Sequence, residues 1–155
     1  MRKQAARFLS SLRILHLALF AGQCLLLILA VWIVTGHHVS FAERSTDKLL
    51  QVLSLLLSFA IAYGAVVMKK RRLEEIRAGA ASVEARVARY RSSCLLQWAL
   101  LETVVLLNLV CFIVTGNYAF VALTVAVMIF YALQAPTRLA VLWQLGITEE
   151  ALDAL

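Results

Sequence analysis

Glu102 is the one carboxylate inside an apolar run of this chain, Cys94–Thr115. It lies about eight residues into that run, roughly 12 Å along a helix from its start. Water is scarce at that depth, so the acid must face a bundle interior or a neighbouring subunit and be neutralised by a proton, a cation or a hydrogen-bond donor. Two chemistries follow. Glu102 is either a proton or cation site, where ion capture changes the charge of a low-dielectric bundle, or a protonated structural acid bonded to an adjacent helix. As an ion site it would draw on Gln23 and Gln51, amides on the first and second apolar runs.

Gln23, Gln51, Gln97, Asn108 and Gln134 all fall within apolar runs, where side-chain amides join helices at about 0.6–2 kcal/mol per contact. Gln51, Ser54 and Ser58 share one helical face, a polar seam that could stand opposite Glu102. Ala18 with Gly22 and Ala60 with Gly64 are small-xxx-small pairs, suited to close helix packing within the chain or between chains. His37 and His38 sit at one mouth of the first run and His16 at its other end. Adjacent histidines rarely share one metal, and no cysteine or carboxylate cluster completes a ligand set beside them, so no metal site is expected. The sequence has no Gly-rich phosphate loop, His-Glu-x-x-His pair or nucleophile elbow. A non-enzymatic role without a cofactor is the expectation.

These residues are carried by a chain of 155 residues that is 63% hydrophobic and 15% charged, against about 45–50% and about 25% for an average soluble domain. One small core cannot absorb that excess, which points to lipid as the solvent. Four apolar runs, Ile14–Thr35, Leu49–Met68, Cys94–Thr115 and Tyr118–Ala135, each approach the roughly 20 residues that cross about 30 Å of hydrocarbon. The single proline, Pro136, follows the last run, where it disturbs a helix least. The expected class is an all-α integral membrane four-helix bundle in one domain. The first run is too long for a signal peptide, and no small-residue cleavage site follows it.

The net charge of +6 is explained by membrane topology, with no need of nucleic acid. Arg2, Lys3, Arg7 and Arg13 precede the first run, and Lys69, Lys70, Arg71, Arg72, Arg77, Arg86, Arg89 and Arg91 lie between the second and third. The opposite side has only Arg44 and Lys48, offset by Glu43 and Asp47. By the positive-inside rule both termini are cytoplasmic, which suits a bacterial inner membrane. Lys69, Lys70, Arg71, Arg72, Arg86, Arg89 and Arg91 are also candidates for anionic lipid headgroups, at about 1 kcal/mol per charge near the surface. Cys24, Cys94 and Cys111 have no pairing or metal spacing and read as small hydrophobes.

Ile33-Val34-Thr35-Gly36 recurs as Ile113-Val114-Thr115-Gly116. If the repeat is a duplication rather than chance, the halves are parallel hairpins related by an axis along the membrane normal. The Gly36–Lys48 loop would then distinguish them. Between the second and third runs, Leu73, Ile76, Ala80, Val83, Val87 and Tyr90 follow a three-four spacing, with a stop at Gly79 and a start at Ser82. Residues 69–93 are thus expected to extend both spans beyond the bilayer as a helical hairpin. After Pro136, Leu139, Leu142, Trp143 and Leu145 suit either an interfacial helix or a kinked continuation of the fourth span. Thr148-Glu149-Glu150 reads as the cap and first turn of a short terminal helix.

At Ala99-Leu100-Leu101-Glu102-Thr103 the third run resembles the ion-binding helix of rotary ATPase proteolipid subunits. That resemblance implies an ion-carrying Glu102 in a ring of identical subunits, with a nearby glutamine as second ligand. It covers one helix. The glycine-repeat helix of those rings is missing here, and the acid falls on the first helix of the second hairpin, departures that argue against a rotor. Along its length the chain resembles small uncharacterised four-span bacterial membrane proteins, through the acid after Ala-Leu-Leu, the Thr-Gly turn and the Pro-Thr after the last span. That similarity implies architecture alone. The expected function is a subunit or self-assembling component of a membrane complex. A proton- or cation-coupled channel or transporter element using Glu102 is the alternative, and a lipid-responsive regulator a third reading.

Overall fold

The computed structural model describes residues 2–37, 44–79 and 82–150. Among them all regular secondary structure is helical, in the order α1 (Arg2–His37), α2 (Arg44–Ala78), α3 (Val83–Thr115), α4 (Tyr118–Leu133) and α5 (Arg138–Leu145). Long apolar stretches without proline leave the backbone no partner but itself in lipid, and the α-helix satisfies every internal N–H and C=O. Three helices are long and apolar enough to cross a membrane: Phe8–Gly36, Asp47–Ala78 and Val83–Thr115. The chain is therefore an integral membrane protein. Helix α4 has 16 residues, about 24 Å, and reaches spanning length only when counted with α5, from which it is bent by 76°.

The helix ends follow local chemistry. Helix α2 runs to Ala78, and Gly79 donates its amide to the Glu75 carbonyl at 3.1 Å. Ser82 caps α3, its hydroxyl accepting from the Ala85 amide at 3.4 Å. At the far end of α3, Gly116 adopts φ 68° and returns its amide to Phe112, a left-handed stop that a Cβ would strain. Asn117 then caps α4 through its side chain, 3.0 Å from the Ala119 amide. The matching Gly36 does not end α1, which continues to His37, and α2 already begins at Arg44. Helix thus covers both ends of the expected loop. Residues 38–43, with His38 and Glu43, lie outside the described residues; of the terminal helix expected after Thr148, Glu149 and Glu150 are helical and residues 151–155 lie outside the described residues.

Helix α3 is the centre of the assembly. It packs along α2, α4 and α1, whereas α1 and α2 share at most marginal contact. The two halves are accordingly unlike: α3 and α4 pack together across the Gly116 turn, but among the described residues α1 and α2 are bridged mainly by α3, with lesser contacts to α4. Ala99, Thr103, Leu106 and Val110 form an exposed stripe along α3. On its buried side lie Trp98, Leu101, Val104, Val105 and Phe112.

The break between α4 and α5 is set by Pro136, which lacks an amide proton and cannot continue the helix. Arg13 holds the break against α1, donating from Nε to the Pro136 carbonyl at 3.1 Å. Thr137 then caps α5 through its hydroxyl, 3.2 Å from the Ala140 amide. The apolar stripe expected on α5 divides: Leu145 is buried, joined by Val141, and Leu142 half-buried, while Leu139 and Trp143 point outward.

Candidate functional site

Two polar clusters are built into the apolar bundle. The first locks α2 to α3. Asn108, fully buried, donates from its amide to the Ser58 hydroxyl at 3.0 Å and to the Val104 carbonyl at 2.9 Å. The Ser54 hydroxyl donates to the Asn108 side-chain oxygen. Ser54 and Ser58 are one turn apart and present both hydroxyls to one amide. The polar seam of α2 therefore meets Asn108. Glu102 lies six residues earlier on α3, roughly 120° around the helix.

The same register separates the residues grouped by the ion-site reading. Gln51 is one turn beyond Ser54 in the direction away from Glu102, so the two stand about 13 Å apart along the bundle. They do not share a site. Gln23 lies on α1 at nearly the height of Glu102, fully buried in the core.

The second cluster runs between α1, α3 and α4. The His16 ring lies 4.9 Å from the Trp98 ring and 4.4 Å, edge-on, from the Tyr131 ring. The Tyr131 hydroxyl donates to the His16 backbone carbonyl at 3.3 Å. Phe20, one turn above His16, stacks on Tyr131 at 6.3 Å. Helices α1 and α4 are antiparallel, and Gln23 is seven residues after His16 as Thr124 is seven before Tyr131. Two turns therefore put Gln23 and Thr124 at one height. Glu102, one turn above Trp98, is half-buried on the flank of this column.

The column is under-bonded. His16 Nε2, both polar atoms of the Gln23 amide, Trp98 Nε1 and Thr124 Oγ1 are buried without a hydrogen-bond partner among the described residues. Leaving such a group unpaired costs about 1–3 kcal/mol in a protein interior. A carboxyl, a phenol, an imidazole, an amide and a hydroxyl along one seam can pass a proton or hold ordered water. Among the described residues no three His, Cys, Asp or Glu side chains are grouped to hold a metal ion.

Sequence reasoning named His16 only by its position and missed Trp98, Thr124 and Tyr131 as its companions. The available signal was polar residues at heptad spacing, His16 with Gln23 and Thr124 with Tyr131, on runs otherwise apolar.

The small-residue pairs face outward. Ala18, Ala60 and Gly64 are exposed and Gly22 is half-buried. A Cβ at Gly22 or Gly64 would meet nothing within 4 Å. Neither pair makes a close approach within the chain.

In the hairpin, Lys69 is buried with its ammonium 6.0 Å from the centre of the Tyr90 ring. Lys70, Arg71, Arg89 and Arg91 are exposed, and Arg72 and Arg86 half-buried. Arg77, outside the expected headgroup set, caps the last turn of α5, donating from Nε to the Gln144 carbonyl at 2.8 Å and from a terminal nitrogen to the Trp143 carbonyl. The unpaired carbonyls at a helix C-terminus favour such a cation.

Comparison with protein-family models, curated proteins and solved structures finds no match to this chain.

Proposed function

We propose that this chain is a non-enzymatic four-span protein of a bacterial inner membrane, with both termini cytoplasmic, working as a subunit or self-assembling component of a membrane complex. The observation that carries the proposal is the position of Glu102. It lies deep in a spanning helix, half-buried at the edge of the exposed stripe of α3, with no hydrogen bond or ion pair among the described residues. A polar acid facing lipid is costly, and a second chain covering that edge would relieve the cost. Exposed Gly64 and half-buried Gly22 support the same reading, because small faces without a close neighbour within the chain allow close approach between chains.

A cysteine placed at exposed Thr103, beside Glu102, tests this in native membranes with Cys24, Cys94 and Cys111 replaced by serine or alanine. Crosslinking at Thr103→Cys to another copy or to a second protein is expected. Recovery of uncrosslinked chain alone, together with monomers only in native mass spectrometry after gentle extraction, would refute the proposal.

A second reading has its own support. Glu102 stands one turn above Trp98, on the flank of a column of buried polar groups that includes His16 and Tyr131, the ingredients of a proton- or cation-coupled element. On that reading Glu102→Gln abolishes flux in reconstituted vesicles while leaving assembly intact. Undiminished flux would eliminate it.

A further inference from the structure

Helix α5 and the turn end of the α2–α3 hairpin border an open cavity of about 550 Å³, lined by Arg77, Arg86, Leu139, Leu142, Trp143 and Ile147 among others. Its chemistry is two-sided. Arg77 and Arg86 are cations, and no carboxylate lines the cavity among the described residues. The apolar side is Leu139 and Trp143, which are 74% and 78% exposed although α5 has room inward only for Val141 and Leu145.

Arg86 gives one terminal nitrogen to the Gly79 carbonyl at 3.0 Å, while its Nε is buried and has no partner among the described residues. Arg77 is oriented by the two carbonyls at the end of α5. Both guanidinium groups are thus held in place at one cavity, where planar, fixed donors suit a phosphate.

The position narrows the ligand. Arg13, one residue before the first apolar run, bonds the carbonyl of Pro136, one residue past the fourth, so α5 starts at the edge of the apolar zone and turns 76° from α4 there, and Arg77 reaches back to its last turn. A short helix lying across the end of a bundle, with Trp and Leu outward and arginines beside it, matches the interfacial zone of a bilayer. A soluble phosphate would satisfy the arginines but leave Leu139 and Trp143 in water. The geometry points to an anionic phospholipid as the occupant, its phosphate taken by Arg77 and Arg86 and its chain carbons lying along Leu139 and Trp143. This site is independent of whether the chain self-assembles.

The test uses the full chain with Trp32→Phe, so that Trp143 is the exposed tryptophan and Trp98 is buried. It is placed in nanodiscs of phosphatidylcholine containing phosphatidylglycerol, and bromine-labelled chains on one lipid or the other report contact by quenching. Brominated phosphatidylglycerol is expected to quench Trp143 more than brominated phosphatidylcholine at equal mole fraction. Arg86→Gln should lower that preference about fivefold, the effect of one charge near the surface. Arg71→Gln, an exposed charge outside the cavity, should leave it unchanged. Leu139→Glu, at an exposed position that the fold does not need, should abolish it by setting a carboxylate beside the arginines. Equal quenching by both lipids, equal loss from Arg86→Gln and Arg71→Gln, or full competition by millimolar inorganic phosphate would each overturn the assignment.

Discussion

Asn108→Ala should detach α2 from α3 before the rest of the bundle loosens. Asn108 makes the interhelical bonds to Ser54 and Ser58, and its remaining amide bond returns to its own helix at Val104. Interhelical hydrogen bonds in membranes average about 0.6 kcal/mol and reach about 1.7, so losing two costs about 1–3 kcal/mol. The lower half of that range is expected, because freed serine hydroxyls can turn to carbonyls of their own helix. About 1–2 kcal/mol corresponds to a factor of roughly 5–30 in the opening equilibrium. Cys111, buried and one turn from Asn108, supplies the readout. Its reaction with a maleimide dye in mild detergent should accelerate by that factor, while Cys24, on α1 and away from α2, changes less. A double-mutant cycle with Ser54→Ala isolates the pair. Coupling below about 0.3 kcal/mol, or equal acceleration at both cysteines, would refute the lock.

Gly22→Leu and Gly64→Leu should leave the monomer's melting temperature unchanged, since a Cβ at either meets nothing within 4 Å, yet reduce any oligomer seen by native mass spectrometry; a destabilised monomer would show that those faces pack within the chain. Arg77→Ala removes two bonds to the end of α5 and should cost that helix about 1–3 kcal/mol, read as faster amide exchange over residues 138–145 with α3 unaffected. Tyr131→Phe removes the hydroxyl bonded to the His16 carbonyl and should cost about 0.5–1.5 kcal/mol in detergent unfolding. A neutral result would mean that the ring stacking alone positions Tyr131.

What the sequence determined was local. Composition and run length forced a helical membrane chain, because no other backbone conformation satisfies itself across long apolar stretches without a closed barrel. Gly79, Ser82, Gly116, Asn117 and Pro136 set helix ends through capping and steric rules that act within a few residues. The polar residues of the interior were visible as a list. Their pairing was decided only by tertiary structure: Ser54 and Ser58 with Asn108 rather than Glu102, His16 with Trp98 and Tyr131, Arg77 with the end of α5. The reason is physical. In water an apolar stripe says which face of a helix turns inward, but in a bilayer lipid is as apolar as the core, so a helix hydrophobic all round has no such marker. Rotation and register then depend on a few polar contacts and on packing between helices distant in the chain, and those exist only once the helices have met.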